Sequence, residues 1–170
     1  MASAKQASHS IRAVWTTHFW AVRCAALTLV GCMSGAAAAA DRGSAAVLPF
    51  TVVGDTIPAP LGNAAGDAAR GRSLIVARDA ANCVLCHAVT DPAVHYSGNI
   101  GPSLDGVAHR LTTAQLRLRI VDILRVNPDS IMPGYYRSEG LDRVPAPYRA
   151  KPILDAGQVE DIVAYLATLQ

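Results

Sequence analysis

Large aromatic side chains are nearly missing from most of this chain. Both tryptophans, Trp15 and Trp20, stand in the first forty residues, and beyond them only Phe50 and five tyrosines carry six-membered rings. A domain of about 130 residues with so few of them has a thin hydrophobic core, so the polypeptide alone is expected to fold poorly unless an apolar group fills its centre. Cysteine is equally scarce. Cys24 and Cys32 lie in the same N-terminal stretch, which leaves only Cys83 and Cys86 in the remainder and excludes both a disulfide framework and a spare catalytic thiol. Excess positive charge is missing as well. Without Lys5, Arg12 and Arg23 the chain has twelve Lys and Arg against thirteen Asp and Glu, a formal charge of −1, which excludes nucleic-acid binding driven by a basic surface.

The N-terminal stretch explains its own composition. It has three basic residues and no acid before Asp41, an apolar run from Cys24 to Met33 that is too short to span a bilayer, and Ala38-Ala39-Ala40 as a small-residue cleavage site. Residues 1–40 therefore read as a signal peptide cleaved near Ala40, with export to the periplasm. Leu29-Val30-Gly31-Cys32 also resembles a bacterial lipobox. On that second reading Cys32 carries a lipid and the chain is a membrane-tethered lipoprotein.

What is present centres on Cys83-Val84-Leu85-Cys86-His87. A C-x-x-C-H run places two thiols and an imidazole as needed to attach a c-type haem: each thiol forms a thioether to a vinyl group, and His87 faces the iron. Two rivals use the same residues. A thioredoxin-like redox pair belongs beside a βαβ pattern, and none follows. A structural zinc site needs four ligands, and His95 and His109 are the only additions, at no zinc-ribbon spacing.

Residues 41–66, with Pro49, Pro58, Pro60 and four glycines, read as an extended arm without helical period, lying on the domain or on a partner. Residues 67–170 read as a single cofactor-binding domain. A first helix is expected from Asp67, its N-cap, to Arg78. Gly71 inside it implies a close helix crossing, with Tyr165 as packing partner. A second helix is expected from Thr113 to Val126, stopping before Pro128, with Leu116, Ile120, Ile123 and Leu124 as its apolar stripe and Arg117 and Arg119 as a solvated face. A last helix runs from Asp155 to Leu169, opened by a capping box of Asp155 and Gln158. Helices separated by loops, with no strand pair, make the fold class all-α.

For the iron, His87 is the proximal ligand, its second ring nitrogen donating to a backbone carbonyl that fixes the ring. Pro102, in the glycine-rich turn after the motif, is the candidate acceptor. Met132 is the only thioether beyond the leader and the candidate sixth ligand. His95 stands too near His87 in sequence to reach the other haem face, and His109 reads as surface or as a propionate partner. Tyr135, Tyr136 and Arg137 read either as propionate or partner-face contacts or as plain surface packing.

Ile57-Pro58-Ala59-Pro60-Leu61, Gly66-Asp67 to Gly71-Arg72, Asn82 to His87, Gly98 to Leu104, Leu116 to Asp122, Asn127 to Pro133 and Gly157 to Asp161 together closely resemble the SoxX family, the small monohaem subunits of SoxAX cytochrome complexes in bacterial thiosulfate oxidation. The resemblance covers nearly all of the chain after the leader. It implies a class I cytochrome c domain behind an N-terminal arm, with one covalent haem c on Cys83 and Cys86 and axial His87 and Met132. It implies a non-catalytic, electron-accepting subunit of an L-cysteine S-thiosulfotransferase type of complex. Its partners are then a SoxA-like cytochrome, where the chemistry occurs, the carrier SoxYZ indirectly, and a downstream electron acceptor. Ile123-Leu124 departs from the proline-containing turn expected there, which puts the length of the helix in question. Two further functions are compatible with the motif: a free electron-shuttle cytochrome, and a peroxidase-like haem protein with an open sixth position.

Overall fold

The structure, a computed structural model, describes residues 46–63 and 65–170; the leader with Cys32 and Ala40, and the start of the arm, lie outside the described residues. Among the described residues four α-helices carry the fold: α1 (Ala68–Val76), α2 (Val107–Arg110), α3 (Thr113–Asp122) and α4 (Ala156–Leu166). Short 3-10 turns at Leu61–Asn63, Cys83–Leu85, Ile123–Arg125 and Ala146–Tyr148 join them, and among the described residues there is no strand, only an isolated bridge between Val53 and Thr56. The domain is all-α, as its sequence implied. No described helix is long and apolar enough to cross a membrane.

Capping chemistry fixes the helix starts. Asp67 accepts a hydrogen bond from Arg70 N, so α1 opens one residue later. Asp155 and Gln158 form the expected reciprocal box at α4, and Thr112 and Gln115 form a second at α3. α1 and α4 cross at Gly71, which is buried and so close to α4 that a Cβ there would collide with the carbonyl of Asp161 and crowd Tyr165. The close crossing read from Gly71 is thus explained by the absence of a side chain at the contact.

The last helical turns differ from the sequence expectation. α1 ends at Val76, α3 at Asp122 and α4 at Leu166, each before the residue expected from periodicity. In α3 the cause is local: the backbone at Asp122 leaves the helix at φ −161°, ψ 86° and continues as a 3-10 turn. Arg117 also departs from expectation. It is buried, its guanidinium clamped by Glu160 of α4 and by the carbonyl of Ile57.

The arm lies against the helices over its described part. Leu48 N donates to the Tyr136 hydroxyl at 2.7 Å, Phe50 packs on the Tyr136 ring with centroids 6.3 Å apart, and Ile57 N donates to Ala114 O at 3.0 Å. Ile57 and Leu61 are fully buried in the same core as Leu118, Val121, Val159 and Ile162.

Candidate haem site

The turn that holds the two thiols is helical for one turn only. Asn82 starts it in the left-handed region (φ 49°), Cys86 N and His87 N both donate to Cys83 O at 3.1 and 3.0 Å, and so Cys83, Cys86 and His87 share one side of the chain. A loop is strapped across this turn by two backbone bonds, Gly98 N to Val84 O and Gly101 N to Cys86 O, each 2.8 Å. The loop then delivers Pro102 O to within 2.7 Å of His87 Nδ1. Pro102 O can only accept, so Nδ1 carries the proton and Nε2 is left with a free lone pair, the tautomer needed for a metal bond. Gly101 lies against the imidazole so closely that a Cβ would overlap the ring. Arg110 braces the far side of the loop, donating to Asp105 O and Ser103 O at 2.8 and 2.5 Å.

Cys83, Cys86, His87 and Met132 all line one cavity of about 570 Å³, within the range of small-molecule and cofactor sites. Its walls are apolar and come from every helix: Ile75 of α1, Val107 of α2, Leu116 and Ile120 of α3, and Ile162 and Leu166 of α4. Arg110 and Arg119 are the cations in the lining, and Arg119 is held by Gln115 O at 3.0 Å and more loosely by Asp55 at 3.5 Å. His95 and His109 are exposed and do not line the cavity. Tyr135 does line it, with its hydroxyl donating to Ala81 O at 3.0 Å. Tyr136 accepts from Leu48 N, and Arg137 reaches toward Asp122.

Burial pushes the Cys83 thiol up to about 11 and, as the largest of several causes, the Tyr135 phenol up to about 12. Both therefore stay protonated at neutral pH. Among the described residues no three His, Cys, Asp or Glu side chains converge on one point, so the tetrahedral zinc reading lacks its ligand set.

An apolar slot with two thiols on one edge, an imidazole of fixed tautomer, a thioether and two guanidinium groups fits a flat macrocycle bearing two vinyl groups, an iron and two propionates. Cys83 and Cys86 would attach it, and His87 would ligate the metal. The absence of a side chain at Gly101 leaves the room that the ring of His87 occupies. Two residues of this site escaped sequence reading. Arg119 was expected in solvent, and Arg110 gave no local signal of its bracing role.

A sequence model of the cytochrome c family matches residues 68–170, and the chain belongs to that family, whose members carry covalent haem c. Within it the chain is a SoxX-like cytochrome. It is similar to a chain in the crystal structure of SoxXA from P. pantotrophus, at 34% sequence identity and a TM-score of 0.66, with 71% of this chain and 93% of that chain covered. No curated protein matches it.

Proposed function

We propose that this chain is exported to the periplasm and serves as the electron-accepting, monohaem subunit of a SoxAX-type complex that conjugates thiosulfate oxidatively to a cysteine of a carrier protein. The reading rests on one observation: both described cysteines line the haem cavity at attachment spacing. No other thiol among the described residues could hold a sulfur intermediate. Its likeness to a chain of SoxXA supports a dihaem or monohaem SoxA-like partner, which would hold the reaction centre.

Haem c, when bound, supplies a one-electron iron couple. The residues tune and protect it. His87, oriented by its bond to Pro102 O, would present Nε2 to the iron. Met132 is assigned the sixth position, and a Met/His pair raises the potential, which suits an acceptor. The apolar side chains of the lining would shield the group from water, and Arg110 and Arg119, which also line the cavity, would offset propionate charge. Met132 lines the same cavity as His87, and a thioether ligand from it would close the sixth position and so disfavour a peroxidase-like role.

The test is to express the chain with and without a SoxA-like partner and follow haem reduction on adding thiosulfate and carrier. Reduction that requires a stably co-purifying partner is the expected result. A chain that isolates alone and is reduced equally well without the partner would make it a free shuttle.

A further inference from the structure

Met132 sits in a loop whose two ends are tied to one carboxylate. Asp122 occupies the point where α3 breaks, and its side chain is only 10% exposed. Oδ2 lies 3.2 Å from Arg125 Nε, and Oδ1 lies 3.6 Å from Arg137 Nη1. Arg125 precedes the loop and Arg137 follows it. Gly134 passes directly over the pair, where a Cβ would lie 3.1 Å from Asp122 Oδ1 and 2.7 Å from Arg137 Cδ.

The loop between these ties has little else to hold it. Tyr135 N and Tyr136 N donate to Ile120 O and Val121 O, which pins the far end to α3, and Asn127 N donates to Ile123 O in the 3-10 turn that follows α3. Between them the bonds are internal: Asp129 N to Asn127 Oδ1, Ser130 N to Asn127 O and Met132 N to Ser130 Oγ. Among the described residues no backbone group from 128 to 134 bonds outside the loop. The carboxylate is itself incompletely satisfied, since Oδ1 is buried without a hydrogen-bond donor. Its attraction to Arg137 is Coulombic across a gap, and buried polar atoms short of a partner are costly. Such a contact holds a loop shut without locking it.

We propose that Asp122 is the clasp of the Met132 loop, a positioning residue that sets how often the loop opens and the thioether leaves the cavity. The proposal rests on Met132 being the sixth ligand. An external ligand binds only where that position is free, so its apparent affinity scales with the open fraction. Arg125 is 54% and Arg137 27% exposed, so salt reaches the clasp and weakens it.

The experiment measures imidazole binding to the oxidised holoprotein, together with the far-red absorption band of thioether-ligated ferric haem. Asp122→Asn and Arg137→Gln are expected to keep haem content and helical circular dichroism while binding imidazole about tenfold more tightly. The parent's binding should tighten as salt is raised. Glu160→Gln, which destabilises the body away from this loop, should leave imidazole affinity unchanged and so separates a clasp from general loosening. Parental imidazole affinity and band intensity in both clasp variants would overturn the proposal. If Asp122→Asn does not mature, Arg137→Gln alone decides. A far-red band that persists in Met132→Ala would remove the ligand assignment and the clasp with it.

Discussion

Arg117 of α3 and Glu160 of α4 form a bidentate pair, Nε to Oε1 at 2.7 Å and Nη2 to Oε2 at 2.9 Å, with both side chains at least 94% shielded from solvent. Each partner also binds the arm: Arg117 Nη1 donates to Ile57 O, and Glu160 Oε1 accepts from Leu61 N. One ion pair thereby joins three segments far apart in sequence.

Removing one member leaves the other charged and buried. Arg117→Met or Glu160→Leu is expected to cost about 3–5 kcal/mol, read as a shift in the urea midpoint of the holoprotein. Combining the two should recover part of the loss, because the charges go together. Full recovery is not expected, since the backbone groups of Ile57 and Leu61 remain without partners. Equal losses in the single and double variants would contradict a coupled pair.

Gly101→Ala should disturb the haem ligand directly. Its methyl group would occupy the space of the His87 imidazole, and the ring cannot turn without losing its bond to Pro102 O. A pyridine haemochrome assay is expected to show reduced haem per chain in Gly101→Ala, whereas Gly54→Ala, with open space around it, should load normally apart from a small backbone cost. Equal haem content in both would refute the steric account.

Stability should fall on acidification below about pH 4. The hydrogen bond from Arg72, helped by Ala93 N, holds the Asp91 carboxyl below its ordinary value of 3.8, and net lowering is found at Asp161 too, where bonds from Arg70 and Asp67 N outweigh burial. The unfolded chain then takes up protons that the folded chain refuses. The contribution is complete above the unfolded value and is lost as pH falls through the lower folded one. Urea titrations between pH 2 and 6 should show this decline (window set by carboxylate values near 4), and Asp91→Asn should flatten part of it.

The polypeptide without its cofactor should lack a cooperative fold. A cavity of about 570 Å³ is lined by residues of α1, α2, α3 and α4, and among the described residues the only buried aromatic rings are those of Tyr136 and Tyr165. Cys83→Ser/Cys86→Ser is expected to give weak helical circular dichroism and a broad, shallow melt. A sharp transition in that variant would show that the helices hold together by themselves.

How much of this was legible follows from the range of each interaction. The Cys83-to-His87 turn, the caps at Asp67 and Asp155 and the glycine crossing at Gly71 are set by residues within one or two turns, or by a side chain that is missing. Thr112 and Gln115 carried a similar local signal that went unread. Arg117 was misplaced because helical period alone puts it at the edge of the apolar stripe; the carboxylate that draws it inward lies in another helix. Asp122 ends α3 early for a more local reason. Its backbone departs from helix geometry where its carboxylate sits between Arg125 and Arg137, and neither periodicity nor the following proline marks that residue.

The arm's burial bears on where the chain can be cut. The family match begins at residue 68, yet Ile57 and Leu61 are 1% and 2% exposed and fill the interior from outside that boundary. A fragment started at residue 68 would open a hydrophobic groove and strand the Arg117–Glu160 pair beside water. Recombinant versions of the domain therefore need to begin upstream of Leu48, even though the cofactor motif and both assigned iron ligands would survive the shorter cut.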